Sequence, residues 1–201
     1  MRFLVLYKNI KQKNIIKNTA ILTVITLVAG VLLGYVYDIT KEPIAQAKEA
    51  AKNAAYQTVM ADADTFEAVE VEAADLGTGC DVDEVVAANA GSELKGYVIT
   101  TTTHDGYGGD IQVSIGIAAD GTVKGIEMLS IAETAGLGMN ANTPEFKAQY
   151  AEKLVDAFVV TKTGAAADNE IDAISGATIT TRAVTNAVNA ALGYYLNALA
   201  Q

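Results

Sequence analysis

From residue 18 to residue 37 the chain runs NTAILTVITLVAGVLLGYVY, 20 consecutive residues without a charge. At about 1.5 Å per residue, a helix of that length crosses about 30 Å of hydrocarbon, enough to span a bilayer. Tyr35 and Tyr37 close the run, where amphipathic rings suit the headgroup level. Ala45-Gln46-Ala47 resembles a signal-peptidase site. However, it lies well beyond the run, and the run exceeds a signal core of roughly 7 to 15 residues, so the pattern favours an uncleaved anchor. Pro43 suits the first turn of a second, connecting helix through the alanine-rich residues 44–60.

The pattern changes further on. Residues 61–91 carry many acids and few aromatics, and they read as weakly structured connection with one short strand over 66–71. Residues 96–102, 110–118 and 122–129 alternate apolar and polar and are rich in β-branched side chains, as half-buried strands are. Asp120-Gly121 marks a tight hairpin between the last two. Residues 144–154 read as helix, with Phe146, Tyr150 and Leu154 four apart, and 157–160 as an edge strand. A closing helix from Thr180 places Val184, Val188, Ala191, Tyr195 and Leu199 on one face. These elements make an α+β domain with an antiparallel sheet of at least three strands and flanking helices. The organisation expected is a basic segment (1–17), a transmembrane helix (18–37), a connecting helix (38–60) and a folded domain (61–201).

Charge sharpens this picture. Five of the 14 bases, Arg2, Lys8, Lys11, Lys13 and Lys17, precede the apolar run, whereas all 24 acids stand at or after Asp38. Past residue 18 nine bases face 24 acids, a net of −15 that repels nucleic-acid phosphates. Against those five bases, the stretch 38–54 has only Lys41, Lys48 and Lys52, mixed with acids. That bias points to a cytoplasmic N-terminus and an extracytoplasmic domain. One cysteine, Cys80, and one histidine, His104, rule out intramolecular disulfides, cysteine-ligated clusters and His/Cys metal centres. Cys80 reads as a buried or half-buried side chain and His104 as an exposed loop residue.

The chemistry concentrates in Asp172-Ala-Ile-Ser-Gly-Ala-Thr178-Ile-Thr-Thr-Arg182, where a loop turns into the last helix. The first amides of a helix lack backbone partners and their dipoles face outward, which makes such a turn an anion site. Gly176 permits close backbone approach, while Ser175, Thr178, Thr180 and Thr181 offer hydroxyls and Arg182 a charge. A hydroxyl here also suits a plain N-cap.

Asp-x-x-Ser-Gly-Ala-Thr resembles the flavinylation signature of the FMN-binding domain family. Two further segments agree with it in the same order: Gly106-Tyr107-Gly-Gly-Asp-Ile resembles that family's Gly-Tyr-Gly-Gly turn, and Glu133-Thr134-Ala-Gly136-Leu137-Gly138 its Glu-Thr-Pro-Gly-Leu-Gly loop near the flavin. The resemblance implies FMN joined by a phosphodiester to Thr178 through the action of a flavin transferase using FAD. Asp172, Ser175, Gly176 and Ala177 would then form the recognised turn, with Thr180 and Thr181 as neighbouring hydroxyls. Glu133, Thr134, Gly136, Leu137, Gly138 and Tyr107 would lie about the cofactor. Ala135 stands where the family usually has proline, Ile131 where a histidine often precedes the loop, and Met139 where an acid often follows it.

With the upstream anchor, the whole chain is similar to the G-subunit family of Rnf complexes, ion-translocating ferredoxin:NAD oxidoreductases. That implies an electron-carrying membrane protein with other redox subunits as partners and no complete active site of its own. The alternatives are the C-type subunit of Na+-pumping NADH:quinone reductase, a stand-alone extracytoplasmic flavin reductase, and a non-redox assembly module.

Overall fold

The computed structural model describes residues 2–70 and 79–200, with the side chains of residues 2–13 left aside. It falls into two units, Met1–Ala50 and Ala51–Gln201.

The first unit is helical throughout its described length and belongs to α1, a single helix over Arg2–Val59. Its apolar side chains are not packed: Leu22, Val31 and Leu33 are 63 %, 71 % and 71 % exposed. The stretch is long and apolar enough to cross a membrane, reaching a mean hydropathy of 2.2. The second helix expected to begin at Pro43 does not exist as a separate element, because Pro43 lies inside α1. The apolar run before it and the alanine-rich run after it are both strong helix formers, and together they carry the helix across one lost backbone bond.

The second unit is built on an antiparallel meander of five strands in chain order: β1 (Thr65–Val69), β2 (Cys80–Ala90), β3 (Glu93–Thr103), β4 (Ile111–Ala118) and β5 (Val123–Ile131). The strand expected over 66–71 is β1; position 71 lies outside the described residues. By contrast, β2 was not foreseen. Its first half is acidic and its second half is Val85-Val86-Ala-Ala-Asn-Ala, alanine-rich and poor in the residues that favour strands. Pairing along the whole of β3 holds it in extended form, with register shifts at Val82/Glu84 and Ala88/Asn89.

Alternation gives the sheet two covered faces. Ile99, Ile111, Val113, Ile115 and Ile117 point to one side, where α3 (Thr178–Tyr194) lays down Ala183, Val184, Ala187, Val188 and Ala191. The Thr101 hydroxyl donates to the Ala187 carbonyl at 3.1 Å, tying β3 to that helix. On the other side Val86, Ala88 and Val98 meet the last turns of α1 through Tyr56, Val59 and Met60. There the Tyr56 hydroxyl donates to Glu84 at 3.0 Å and Lys52 pairs with the same carboxylate at 2.9 Å. Burial first, with the Glu84 carboxylate adding to it, pushes the Tyr56 phenol up to about 12, so it stays a donor.

The helix expected over 144–154 is shorter. α2 spans only Pro144–Lys147 and passes into a 3-10 turn at Ala148–Tyr150. Phe146 and Tyr150 are buried as expected, but Ala151 is extended, Glu152 takes φ +56°, and Leu154 is 68 % exposed. The edge strand expected over 157–160 is β6 (Val159–Thr161), paired in parallel with β7 (Glu170–Asp172) in a separate small sheet. Asn189 of α3 holds this region by both accepting from the Phe158 amide and donating to its carbonyl, at 2.8 and 2.9 Å.

Candidate functional site

Three connections meet at the N-terminal end of α3: the β3–β4 loop with Tyr107, the residues following β5 from Ala132 through a 3-10 turn at Gly138–Asn142, and the turn that leads from β7 into α3. Between them lies a cleft of about 590 Å³, a size usual for small-molecule sites, walled by Tyr107, Glu133, Thr134, Leu137, Gly138, Gly176, Ala177, Thr178, Ile179 and Thr180.

The turn into α3 is set by its own bonds. The Ala177 amide donates to the Ile174 carbonyl at 2.9 Å across Gly176, whose φ of +77° suits a residue without a side chain. Thr181 reaches back over this turn, its hydroxyl accepting from the Ile174 amide and donating to the Ala177 carbonyl, both at 3.0 Å. Asp172 stands outside the cleft: its carboxylate accepts from the Ala165 amide at 2.7 Å, and its own amide donates to Gln149 at 2.7 Å. It braces the approach to the turn.

The helix then opens without a cap. Ala177 occupies the cap position and its side chain makes no capping bond, so the reading of this hydroxyl-rich segment as an ordinary N-cap fails. The amides of Thr178, Ile179 and Thr180 have no hydrogen-bond partner among the described residues. They are a ready donor set for a phosphate.

Opposite them, the loop after β5 coils on itself, with the Thr134 carbonyl accepting from the amides of Leu137 and Met139 at 3.1 and 3.2 Å. Glu133 is buried, 8 % exposed, and its Oε1 accepts from the Tyr107 amide at 2.7 Å, which locks the β3–β4 loop to this one. Gly138 is forced by crowding, because a Cβ there would lie 2.6 Å from Glu133 Oε2 and 2.7 Å from Thr180 Oγ1. Tyr107, Leu137 and Ile179 are 73 %, 43 % and 54 % exposed and give the cleft apolar lips.

Nine of the fourteen residues singled out in the sequence therefore line one cleft, and Asp172, Ser175, Gly136, the buried Thr181 and the exposed Arg182 do not. Ser175 is exposed, and Gly136, at φ +75°, shapes the opposite loop and accepts from the Asn140 side chain at 3.3 Å. Ile179 was missed. Its signal was an isoleucine out of phase with the stripe through Val184, Val188 and Ala191. His104 is exposed as expected and sits outside the cleft, between Asp110 at 2.9 Å and Asp81 at 3.1 Å. Cys80 is half-buried, as expected.

Residues 106–193 match the family model of the FMN-binding domain, and residues 6–59 that of the RnfG N-terminal region. Among relatives, the G subunit of the Na+-translocating ferredoxin:NAD+ oxidoreductase complex of Acetobacterium woodii is 36 % identical over 199 residues, covering 94 % of this chain and 95 % of that protein. The chain belongs to the G-subunit family of ion-translocating oxidoreductase complexes. Its counterpart in the proton-translocating ferredoxin:NAD+ oxidoreductase complex of Clostridium ljungdahlii is 32 % identical over 185 residues, covering 92 % and 94 %. Among solved structures, the C subunit of the Na+-translocating NADH-quinone reductase of Parabacteroides distasonis superposes with a TM-score of 0.50 at 23 % identity, covering 67 % of this chain and 76 % of that one. The two families thus share a fold. The FMN-binding domain match begins at Gly106 and takes in all three connections that form the cleft.

Proposed function

We propose that this G-family chain carries electrons through FMN ester-linked to Thr178, as a single-pass membrane component of an ion-translocating ferredoxin:NAD+ oxidoreductase complex. The observation that carries the reading is the uncapped start of α3, with three amides that have no partner among the described residues beside a cleft-lining threonine. When bound, the flavin supplies the electron-transfer chemistry.

The chain's residues divide the remaining work. Thr178 is half-exposed on the cleft wall, whereas the hydroxyls of Thr180 and Thr181 are buried at 1 % and 0 % exposure. Only the first is open to a modifying enzyme. Esterification by a flavin transferase forms a bond from Thr178 Oγ to the flavin-side phosphorus of FAD and breaks the pyrophosphate link. AMP leaves and the hydroxyl proton is released. The amides of Thr178, Ile179 and Thr180 would hold the phosphate, and the α3 dipole would favour its charge. Tyr107, Leu137 and Ile179 offer apolar surface to the ring, and Glu133 keeps the two loops carrying Tyr107 and Leu137 in register. The five bases before the apolar run favour a cytoplasmic N-terminus and an extracytoplasmic domain.

In a host that supplies the transferase, the wild-type chain is expected to fluoresce as a flavoprotein in a denaturing gel and Thr178→Ala to be dark. A fluorescent alanine variant, or a wild-type chain whose intact mass is that of the bare polypeptide, would overturn the assignment.

A further inference from the structure

The far end of α3 carries a second depression. Over its 17 residues α3 runs about 25 Å, from the cleft at Thr178 to a groove of about 570 Å³ floored by Tyr97, Leu192 and Tyr195. Floor and rim differ sharply in exposure. Leu192 and Tyr195 are buried, whereas the rim leucines Leu94, Leu154 and Leu196 are 40 %, 68 % and 48 % exposed.

The groove is held in shape by its own bonds. The Tyr195 hydroxyl donates to the Ala119 carbonyl at 2.9 Å, and Lys153 exchanges backbone bonds with Val123 at 2.8 and 3.2 Å, which fixes the strap bearing Leu154. Leaving three leucines in water around a formed apolar floor is costly and is usual where a partner sits.

Charge says what kind of partner. The bases around the groove are already engaged: Lys95 with Glu93, Lys124 with Glu152 and Lys153 with Asp168, each at 2.7 to 2.8 Å. The two carboxylates in its wall, Asp120 and Asp156, form no ion pair among the described residues. Asp120 accepts from the Thr122 amide at 2.9 Å, a bond that holds its carboxyl below the usual range and keeps it charged. A second copy of this chain would bring another stretch of net −15 to the same place, and an anionic lipid surface would add like charge. What fits is apolar and cationic at once.

We propose that this groove docks an amphipathic segment of another protein of the complex, its apolar side chains between Leu94, Leu154 and Leu196 and a Lys or Arg against Asp120 and Asp156. Docking at this end of α3 leaves the cleft at the other end open. The assignment rests on the chain being part of such a complex, but not on the ester at Thr178.

The test uses the full chain in its native complex, with a photo-cross-linking amino acid at position 154 and, as control, at the exposed Glu67 of β1. Illumination of membranes is expected to join position 154, and not 67, to one other protein of the complex, at a peptide in which Lys or Arg stands among apolar residues. Leu154→Asp is expected to lower recovery of this chain with the purified complex on the order of tenfold, the factor that about 1.4 kcal/mol of lost contact produces. Asp120→Asn combined with Asp156→Asn should lower it too and weaken its salt dependence. A cross-link to a second copy, to lipid alone or to the chain's own residues 71–78 would overturn the proposal, as would wild-type recovery of Leu154→Asp. Flavin fluorescence of the chain, read on the same gels, reports separately: its loss with the cross-link intact would count against the ester and not against the groove.

Discussion

Gly138 is the residue on which the cleft closes most tightly. Because a methyl group there would meet Glu133 Oε2 and Thr180 Oγ1 within 2.7 Å, Gly138→Ala must push both walls apart. The expected cost is about 1–3 kcal/mol, seen as a fall in melting temperature, together with less flavin bound per chain by absorbance. His104 offers a cleaner titration. Asp110 first, then Asp81, raise its pKa from 6.5 to about 9, so the bound proton favours the fold below pH 6.5 and that contribution fades as pH rises through about 9. Proton NMR should find the His104 midpoint near 9, and His104→Gln should remove this component from the pH dependence of unfolding. At this scale the sequence was informative about which residues gather, less so about what each does. Thr181 read as a spare hydroxyl, yet it is buried and stitches the turn. Asp172 read as part of the recognised turn; it is not in the cleft wall, and its carboxylate accepts from the Ala165 amide. Spacing reports that such residues sit at a helix start, whereas the direction of each side chain depends on partners such as Ala165 and Ile174 that no local pattern announces.

Among the elements, those with strong periodicity, β3, β4, β5 and α3, lie where alternation and the four-residue spacing put them. The failures have physical causes. β2 is held by its neighbour in spite of its alanines, α1 runs past Pro43 because both flanks favour helix, and α2 stops early where Ala151 extends. The contact of α1 with the sheet was invisible as well, since it depends on Gly116 lacking a side chain. A Cβ at Gly116 would lie 2.4 Å from the Val59 carbonyl oxygen, which is backbone and cannot swing aside. Gly116→Ala is therefore expected to lift the end of α1 off β4 at a cost of about 1–3 kcal/mol. The measurement is denaturant unfolding followed by the fluorescence of Tyr56 and its neighbours; a midpoint equal to wild type would mean that the helix end contributes little.

For the whole molecule, the division between Ala50 and Ala51 gives the last turns of α1 to the same unit as the sheet. A fragment starting at Ala51 keeps Tyr56, Val59 and Met60 over Val86, Ala88 and Val98, and is expected to be monomeric and to melt cooperatively. One starting at Asp64 uncovers that face and is expected to aggregate, by size-exclusion chromatography. The arrangement has a consequence for biogenesis. In synthesis from the N-terminus, the segment that roofs the outer face of the sheet is made before any strand. Strands β2 to β4 then emerge with their lid already made. A hydrophobic sheet surface that would otherwise invite association in a crowded compartment is shielded from the moment it forms.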